Sequence, residues 1–122
     1  HIAVVQNEMN QAAAKRALHL DCDYVIFDTD PLITAVWAEM MFGRRSKRLR
    51  EFDGFADLYL LLDIDLPFVG DGLRVYGHPE ERKQFFNLCQ TELDNRAVNY
   101  AVVRGQADDR LSAALAAIAA AC

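Results

Sequence analysis

The sequence predicts an α/β domain built on a parallel sheet. Strand-forming residues cluster at 24–27, 58–62 and 98–103, and the first two clusters are apolar at consecutive positions, which is typical of parallel strands covered on both faces. Between the clusters, apolar residues recur every three or four positions, as they do in amphipathic helices. Strands that alternate with helices are expected to pair in parallel through crossover connections. We therefore expect one α/β domain over residues 1–122.

The same periodicity predicts four helices. They span residues 2–20, 32–42, 80–93 and the segment that follows Asp108. Asp30 precedes Pro31, which is the arrangement of an N-cap with proline at the first helical position. Gly43 is expected to end this second helix, and Asp108 to cap the last one. The side chains of the second helix that we expect to face inward are Ile33, Val36, Trp37, Met40 and Met41.

Composition and charge exclude several classes of protein. The formal net charge is −5, whereas domains that bind nucleic acid are normally basic. No apolar run approaches the ~18 residues of a membrane span, and the first residues lack the basic-then-apolar order of a signal peptide. The three cysteines show no C-x-x-C spacing, so we expect reduced thiols rather than a disulfide or a zinc site. These features together favour a cytoplasmic protein.

Two acids follow the first predicted strand directly. Asp28 and Asp30 are two residues apart, so in an extended chain their side chains point the same way. Ligands of open α/β sheets bind at the carboxyl ends of the strands, and Mg²⁺ takes few protein oxygens when phosphate and water supply the rest. Both acids are therefore candidate catalytic residues, with Asp28 as the metal ligand. The alternative is that Asp28 only ends the strand and Asp30 only caps the helix.

Two further stretches could contact a nucleotide. Asp71-Gly72-Leu73-Arg74 combines a glycine with an arginine, whose guanidinium can grip phosphate oxygens and neutralise developing charge; the alternative is a surface turn. Gly105 follows the third predicted strand and would allow close backbone approach of a ligand such as a purine ring. Arg110, five residues later, could equally be an ordinary first-turn helix residue.

Taken together, four motifs resemble those of one family. They are F-D-T-D-P-L-x-T-A-V-W (residues 27–37), D-L-P-F (65–68), D-G-L-R (71–74) and G-x-x-x-x-R (105–110). In order and spacing, this set resembles the kinase domain of NadR-type proteins, P-loop nucleoside kinases that phosphorylate ribosylnicotinamide with ATP. The resemblance implies a three-layer P-loop NTPase-like (AAA domain) fold, with a parallel sheet flanked by helices. It also implies ATP and Mg²⁺ as cofactors and a small nucleoside as substrate.

The resemblance also implies a role for each matching residue. Asp28 matches the Walker B-like acid near Mg²⁺, and Asp30 the neighbouring acid that faces the metal or the nucleoside. Arg74 matches the arginine of the lid, beside the cofactor-binding pair Asp71 and Gly72. Gly105 and Arg110 match the loop on the adenine side. Two positions depart from the family pattern: Phe68 stands where such sequences often carry Trp, and Gly70 where an acid often precedes the D-G pair.

The family's phosphate loop has no counterpart in these 122 residues, which contain no G-x-x-x-x-G-K-[ST]. The resemblance places that loop after a strand that comes earlier in the chain. In the sheet, that strand would lie between the strands at 24–27 and 58–62. We therefore expect an N-terminally incomplete domain, with roughly the first third upstream of His1, and no activity from this segment alone.

Two other functions were weighed against the kinase. A regulatory module would bind ATP or an NAD precursor without turnover, and the sequence of the phosphate loop would separate it from a kinase. A phospho-acceptor receiver domain needs a lysine at the end of its last strand, and none of Lys15, Lys47 or Lys83 lies there. The oligomeric state stays open, including a homo-oligomer.

Overall fold

The computed structural model describes residues 2–28, 30–43, 56–66 and 78–121. The chain forms two compact units, residues 1–54 and 55–122, and a single domain over the whole chain stays a prediction. No helix in the described part of the chain is long and apolar enough to cross a membrane.

In the described part of the first unit, two helices contact each other, α1 (Ile2–His19) and α2 (Pro31–Phe42). Both were predicted from the helical periodicity. α1 ends where Asp21 adopts a left-handed conformation with φ 55°, and the N–H of Cys22 then donates to the carbonyl of Ala17 at 3.2 Å. This is the arrangement of a Schellman motif, which satisfies carbonyls that the helix end leaves without partners.

α2 begins and ends as the sequence predicts. Pro31 occupies its first turn, and Gly43 ends it in a left-handed conformation, with φ 69° and its N–H donating to the carbonyl of Glu39 at 2.8 Å. The expected set of inward side chains was partly wrong, because Trp37 is exposed and Met41 is 56% exposed. The buried side chains of this helix are Pro31, Leu32, Ala35 and Val36. The helix is apolar on nearly every side, so periodicity alone does not identify the face that packs.

The strand predicted at Tyr24–Phe27 was wrong. The structure assigns no strand there, and Ile26 is 74% exposed. A strand requires a neighbour that pairs with its backbone N–H and C=O groups, and the described residues contain no such neighbour for this segment. Strand-forming side chains favour sheet structure mainly through contacts across a strand pair, so the sequence preference of this segment alone is not sufficient.

The second unit contains the parallel pair that the alternation predicts. β1 (Tyr59–Leu62) and β2 (Tyr100–Val103) pair in parallel, with Tyr59 opposite Tyr100 and Leu62 opposite Val103. The ladder extends by one bond at each end, because Tyr59 N–H donates to the carbonyl of Asn99 and Asp63 N–H to that of Val103, both at 2.9 Å. The α/β class with parallel pairing is therefore confirmed, whereas the three-layer sheet stays a prediction.

The described residues of the second unit also form two helices, α3 (Pro79–Asn95) and α4 (Ala107–Ala121), and α4 contacts β2. Asp108 does not cap α4, contrary to the prediction. The carbonyl of Gln106 accepts from the N–H groups of Asp109 at 2.8 Å and Arg110 at 3.1 Å, so the helix begins directly after Gln106. Asp108 lies in the first turn instead, where a carboxylate is favourable beside the positive end of the helix dipole.

The buried part of the second unit includes Val103 on β2 and Cys89, Glu92 and Leu93 on α3. Glu92 is charged, and its carboxylate accepts from Nε of Arg96 one turn later at 2.6 Å. Burial raises the pKa of the Cys89 thiol to about 12, with Glu92 adding to the effect. Since the thiolate is the reactive form of cysteine, Cys89 is an inert core residue at neutral pH.

Just after the end of α3, a non-glycine residue adopts a left-handed backbone conformation. Ala97 has φ 54°, while its N–H donates to Asp94 and that of Val98 to Leu93. We expect Ala97→Gly to raise the free energy of unfolding by about 0.5–1 kcal/mol, because relief of the ~1–2 kcal/mol left-handed cost exceeds the ~0.4–1 kcal/mol of extra chain entropy lost on folding. Urea denaturation measures this change.

The matched control is Ala116→Gly, the same substitution at an exposed position inside α4. There glycine should lower the free energy of unfolding by ~1 kcal/mol, since it loses more backbone entropy in a regular helix. Equal destabilisation by both substitutions would contradict the left-handed assignment of Ala97.

Candidate functional site

Polar residues gather where β1 and β2 end. Because the strands are parallel, residues 63–66 after β1 and residues 104–106 after β2 leave the sheet at the same edge. Ligands of open α/β sheets bind at this edge, beyond the carboxyl ends of the strands.

Asp65 joins the two segments. One carboxylate oxygen, Oδ2, accepts from the backbone N–H of Gly105 at 2.7 Å. The other oxygen, Oδ1, forms an ion pair with Nη2 of Arg110. The two oxygens of one side chain therefore hold the loop after β2 and the first turn of α4 at once.

Arg110 contacts the backbone at both strand ends. Its Nε donates to the carbonyl of Gly105 at 3.0 Å, its Nη1 to that of Val103 at 3.5 Å, and its Nη2 to that of Asp63 at 3.2 Å. The side chain is only 17% exposed. We call the set Asp63, Asp65, Val103, Gly105 and Arg110 the strand-end clamp.

Gly105 is required by the local backbone. Its φ is +99°, and a Cβ atom placed on it would lie 2.9 Å from Cβ of Asp109 in the first turn of α4. Both features exclude a larger residue without a shift of the chain. The glycine expected to admit a ligand thus has a structural requirement of its own, the close approach of α4.

A second ion pair lies beside the clamp but differs from it in exposure. Nε of Arg104 is 2.6 Å from Oδ2 of Asp63, and the arginine side chain is 69% exposed. The other oxygen of Asp63 accepts from the N–H of Ile64 at 2.7 Å. Arg104 therefore presents charge to solvent, whereas Arg110 is held among protein groups.

The pKa of Asp65 lies below its ordinary value of 3.8. The largest cause is the hydrogen bond from the backbone N–H of Gly105, and the positive charges of Arg110 and Arg104 act in the same direction. Each of these contacts stabilises the ionised carboxylate relative to the protonated one. The clamp is therefore fully formed at neutral pH.

The acid pair of the first unit has a different geometry. Oδ1 of Asp30 accepts from the N–H groups of Leu32 at 3.0 Å and Ile33 at 3.2 Å, and its backbone is extended with φ −147°. Asp30 is thus the N-cap of α2, as the sequence allows. Asp28 is exposed and lies at a bend before the helix. Whether either acid contacts a metal or a substrate stays a prediction.

The predicted site residues Asp71, Gly72 and Arg74 lie outside the described residues. The structure does place the chain just before them, because the carbonyl of Leu66 accepts from Nη2 of Arg82 on α3 at 2.9 Å. Of the other predicted residues, Gly105 and Arg110 are brought together, as the G-x-x-x-x-R spacing suggests.

Comparison with known proteins decides the family. A family model described as an AAA domain matches residues 1–110. The chain belongs to this AAA domain family. No curated protein and no solved structure matches it. The AAA domain match supports a P-loop NTPase-like, nucleotide-binding domain, and its span includes both the acid pair at 28 and 30 and the strand-end clamp.

One residue that joins the strand ends of this AAA domain was missed by the sequence analysis. Asp65 holds the loop after β2 and the first turn of α4, but only Gly105 and Arg110 were selected there. A signal was present, because Asp63 and Asp65 repeat after β1 the D-x-D pattern that drew attention to Asp28 and Asp30. The partners of Asp65 are 40 and 45 residues away in the chain, so sequence spacing does not reveal them.

The donor set restricts how the AAA domain could hold a metal. The residues that the structure describes include no group of three or more His, Cys, Asp or Glu side chains able to bind an ion. A site made of protein ligands alone is therefore absent from that part of the chain. A nucleotide-borne Mg²⁺ needs only one or two carboxylates, with phosphate and water completing the octahedron. The exposed carboxylate of Asp28 fits that requirement.

Substitutions at Asp30 separate its cap from any other role. We expect Asp30→Ala to lower the free energy of unfolding by about 1 kcal/mol, because the N–H groups of Leu32 and Ile33 lose their acceptor. Asp30→Asn should leave stability within about 0.5 kcal/mol, since an asparagine oxygen caps as well as aspartate does. Chemical denaturation followed by circular dichroism measures both. A large loss in the Asn variant would show that the charge, rather than the cap, is needed for folding.

The lowered pKa of Asp65 predicts a pH dependence of stability. A carboxyl whose pKa is depressed on folding stabilises the protein above its unfolded pKa and loses that contribution as pH falls through the folded one. We therefore expect the difference in unfolding free energy between wild type and Asp65→Asn to be constant above about pH 5 and to shrink below pH 4. The exposed Asp57→Asn controls for loss of one carboxylate. A difference that grows on acidification would contradict the direction of the shift.

Proposed function

We propose that this AAA domain belongs to an ATP- and Mg²⁺-dependent kinase that phosphorylates a small nucleoside, with ribosylnicotinamide as the preferred substrate. The observation that carries the proposal is the AAA domain match over residues 1–110, read together with the four motifs in the order that NadR-type kinases show. The parallel strand pair, with polar segments at its carboxyl edge, agrees with the nucleotide-binding edge of such folds. A cytoplasmic location belongs to the same proposal.

In the proposed reaction a ribose hydroxyl attacks the γ-phosphorus of ATP. The new P–O bond forms as the bond to the β-phosphate oxygen breaks, ADP leaves, and the hydroxyl proton is released. A bound Mg²⁺ would neutralise charge on the β- and γ-phosphates. Such transfers need positioning and charge neutralisation more than covalent work by the protein, and these are the tasks for which the chain's residues are suited.

Each predicted residue has a place in this proposal. Asp28 would be the carboxylate ligand of Mg²⁺, and Asp30, at the N-terminus of α2, would face the metal or the nucleoside. Arg74, with Asp71 and Gly72, would close on the phosphates. The loop at Gly105 would border the adenine. The resemblance implies a Walker A loop that holds the β- and γ-phosphates, and the proposed catalysis would need that loop in addition to these residues.

The alternative is a module that binds ATP or an NAD precursor without turnover. One observation favours it: an oxygen of Asp30 already accepts two backbone N–H groups, as the cap of α2. Binding of a nucleotide-borne Mg²⁺ needs only one carboxylate, for which Asp28 suffices, whereas the resemblance gives the kinase a second acid at position 30. Binding of ATP without phosphorylation of any nucleoside would establish this alternative.

The kinase proposal predicts unequal effects at the two acids. With the full-length protein, a panel of nucleosides and γ-labelled ATP, we expect transfer of label to ribosylnicotinamide. Asp28→Asn should lower kcat by about 100-fold or more, the usual scale when a group that stabilises transition-state charge is removed. Asp30→Asn should lower it by less than about tenfold, because the amide keeps the helix cap and only the charge is lost.

The pair of asparagine variants is matched in size and in the charge removed. Wild-type protein that labels no nucleoside would sink the kinase proposal. Full activity in Asp28→Asn would instead remove Asp28 from the metal site and leave the substrate assignment intact.

A further inference from the structure

The strand-end clamp contains an arginine that has almost no capacity left for a ligand. A guanidinium carries five N–H donors. The one on Arg110 is shared among the carbonyls of Gly105, Val103 and Asp63 and the carboxylate of Asp65. Its charge is compensated by Asp65, and its side chain is largely buried. An incoming phosphate would have to break existing bonds in order to gain new ones.

The carboxylate of Asp65 is engaged on both sides as well. Its two oxygens bind different elements, the N–H of Gly105 and the guanidinium on α4. This fixes the orientation of the peptide group that leads into the left-handed Gly105. The residue that follows Asp65 is also anchored, because the carbonyl of Leu66 accepts from Arg82 on α3. The segment after β1 is therefore hydrogen-bonded to side chains of both α3 and α4.

We propose that Asp65 and Arg110 are positioning residues that hold the loop at residues 104–106 in the shape required to border a bound nucleotide base. Arg110 acts through Asp65 and through backbone carbonyls and does not contact the nucleotide. This inference rests on the proposed function for its ligand, but the shape of the loop in the free protein is a separate property. It assigns Asp65 a function and changes the role of Arg110 from binding to positioning.

The planar guanidinium of Arg110 donates in several directions at once, and this determines which substitutions test the clamp. Arg110→Lys keeps a positive charge in the same place but cannot donate to several carbonyls at once. Asp65→Asn keeps the size of the side chain but presents an amide that cannot accept at both ends. Arg104→Gln is the matched control, because it removes a neighbouring arginine and its ion pair with Asp63, while the described contacts of Arg104 include no carbonyl of the loop.

The first readout is hydrogen exchange of the full-length protein without ligand. The backbone amides of residues 104–107 should exchange about tenfold faster in Asp65→Asn and in Arg110→Lys and should be unchanged in Arg104→Gln. The double variant should exchange no faster than either single one, because each change breaks the same clamp. Amides inside β2 report whether the fold persists. Equal exchange in the loop of all variants would overturn the clamp.

The second readout is ATP affinity by calorimetry, together with kcat and KM for the nucleoside reaction. We expect Asp65→Asn and Arg110→Lys each to raise Kd and KM for ATP about tenfold while kcat changes less than threefold, because the loop and not the reacting phosphate is displaced. If the Arg110→Lys variant kept wild-type ATP affinity, the positioning role would be overturned, because a positive charge that attracts the nucleotide would then be sufficient at position 110. Wild-type protein that binds no ATP, with the loop exchange altered as expected, would overturn the proposed function and support the clamp.

Discussion

The second unit depends on one guanidinium. Beyond the last ladder bond of a parallel pair, backbone carbonyls need donors from elsewhere. Arg110 supplies donors to the carbonyls of Asp63 after β1 and Gly105 after β2, and Asp65 balances its charge. A pair of this kind is held by several hydrogen bonds to the backbone as well as by charge, which distinguishes it from an isolated surface ion pair of small value. Removal of Arg110 would leave Asp65 without its charge partner and would take a donor from the carbonyls of Asp63 and Gly105. Removal of Asp65 would leave the guanidinium without its charge partner.

In the first unit, backbone groups that lack partners are bound by an acidic side chain instead of a basic one. The N-terminus of α2 leaves N–H groups without partners, and Asp30 accepts from two of them. The acidic D-x-D pattern thus recurs after residue 27 and after β1 with different outcomes: in one case an oxygen caps a helix, in the other it holds a glycine loop. In both cases a carboxylate that the sequence pattern would assign to a ligand accepts hydrogen bonds from backbone N–H groups of the fold.

The sequence predicted those parts of the fold that depend on local pattern. The four helices of the described residues and the parallel orientation of β1 and β2 follow from periodicity and apolar runs, and Gly43 and Pro31 mark the bounds of α2 as expected. The strand at 24–27 was wrong because a strand needs a neighbour, which is a tertiary requirement. The partnership of Asp65 with Arg110 was not predicted because its two residues are 45 positions apart, and no local spacing encodes such a contact.

The hydrogen bonds that each carboxylate already accepts also rank the candidate metal ligands. A carboxylate that already accepts from backbone N–H groups must give up those bonds, or share its oxygens, before it can coordinate a cation, so coordination gains it less free energy. Asp30 and Asp65 are both in this position. Asp28 is exposed, and among the described residues no donor is assigned to its carboxylate, so coordination there would cost none of the described hydrogen bonds. Of these three acids, Asp28 is therefore the one that could bind a cation at least cost to the fold, and its place beside Mg²⁺ stays a prediction.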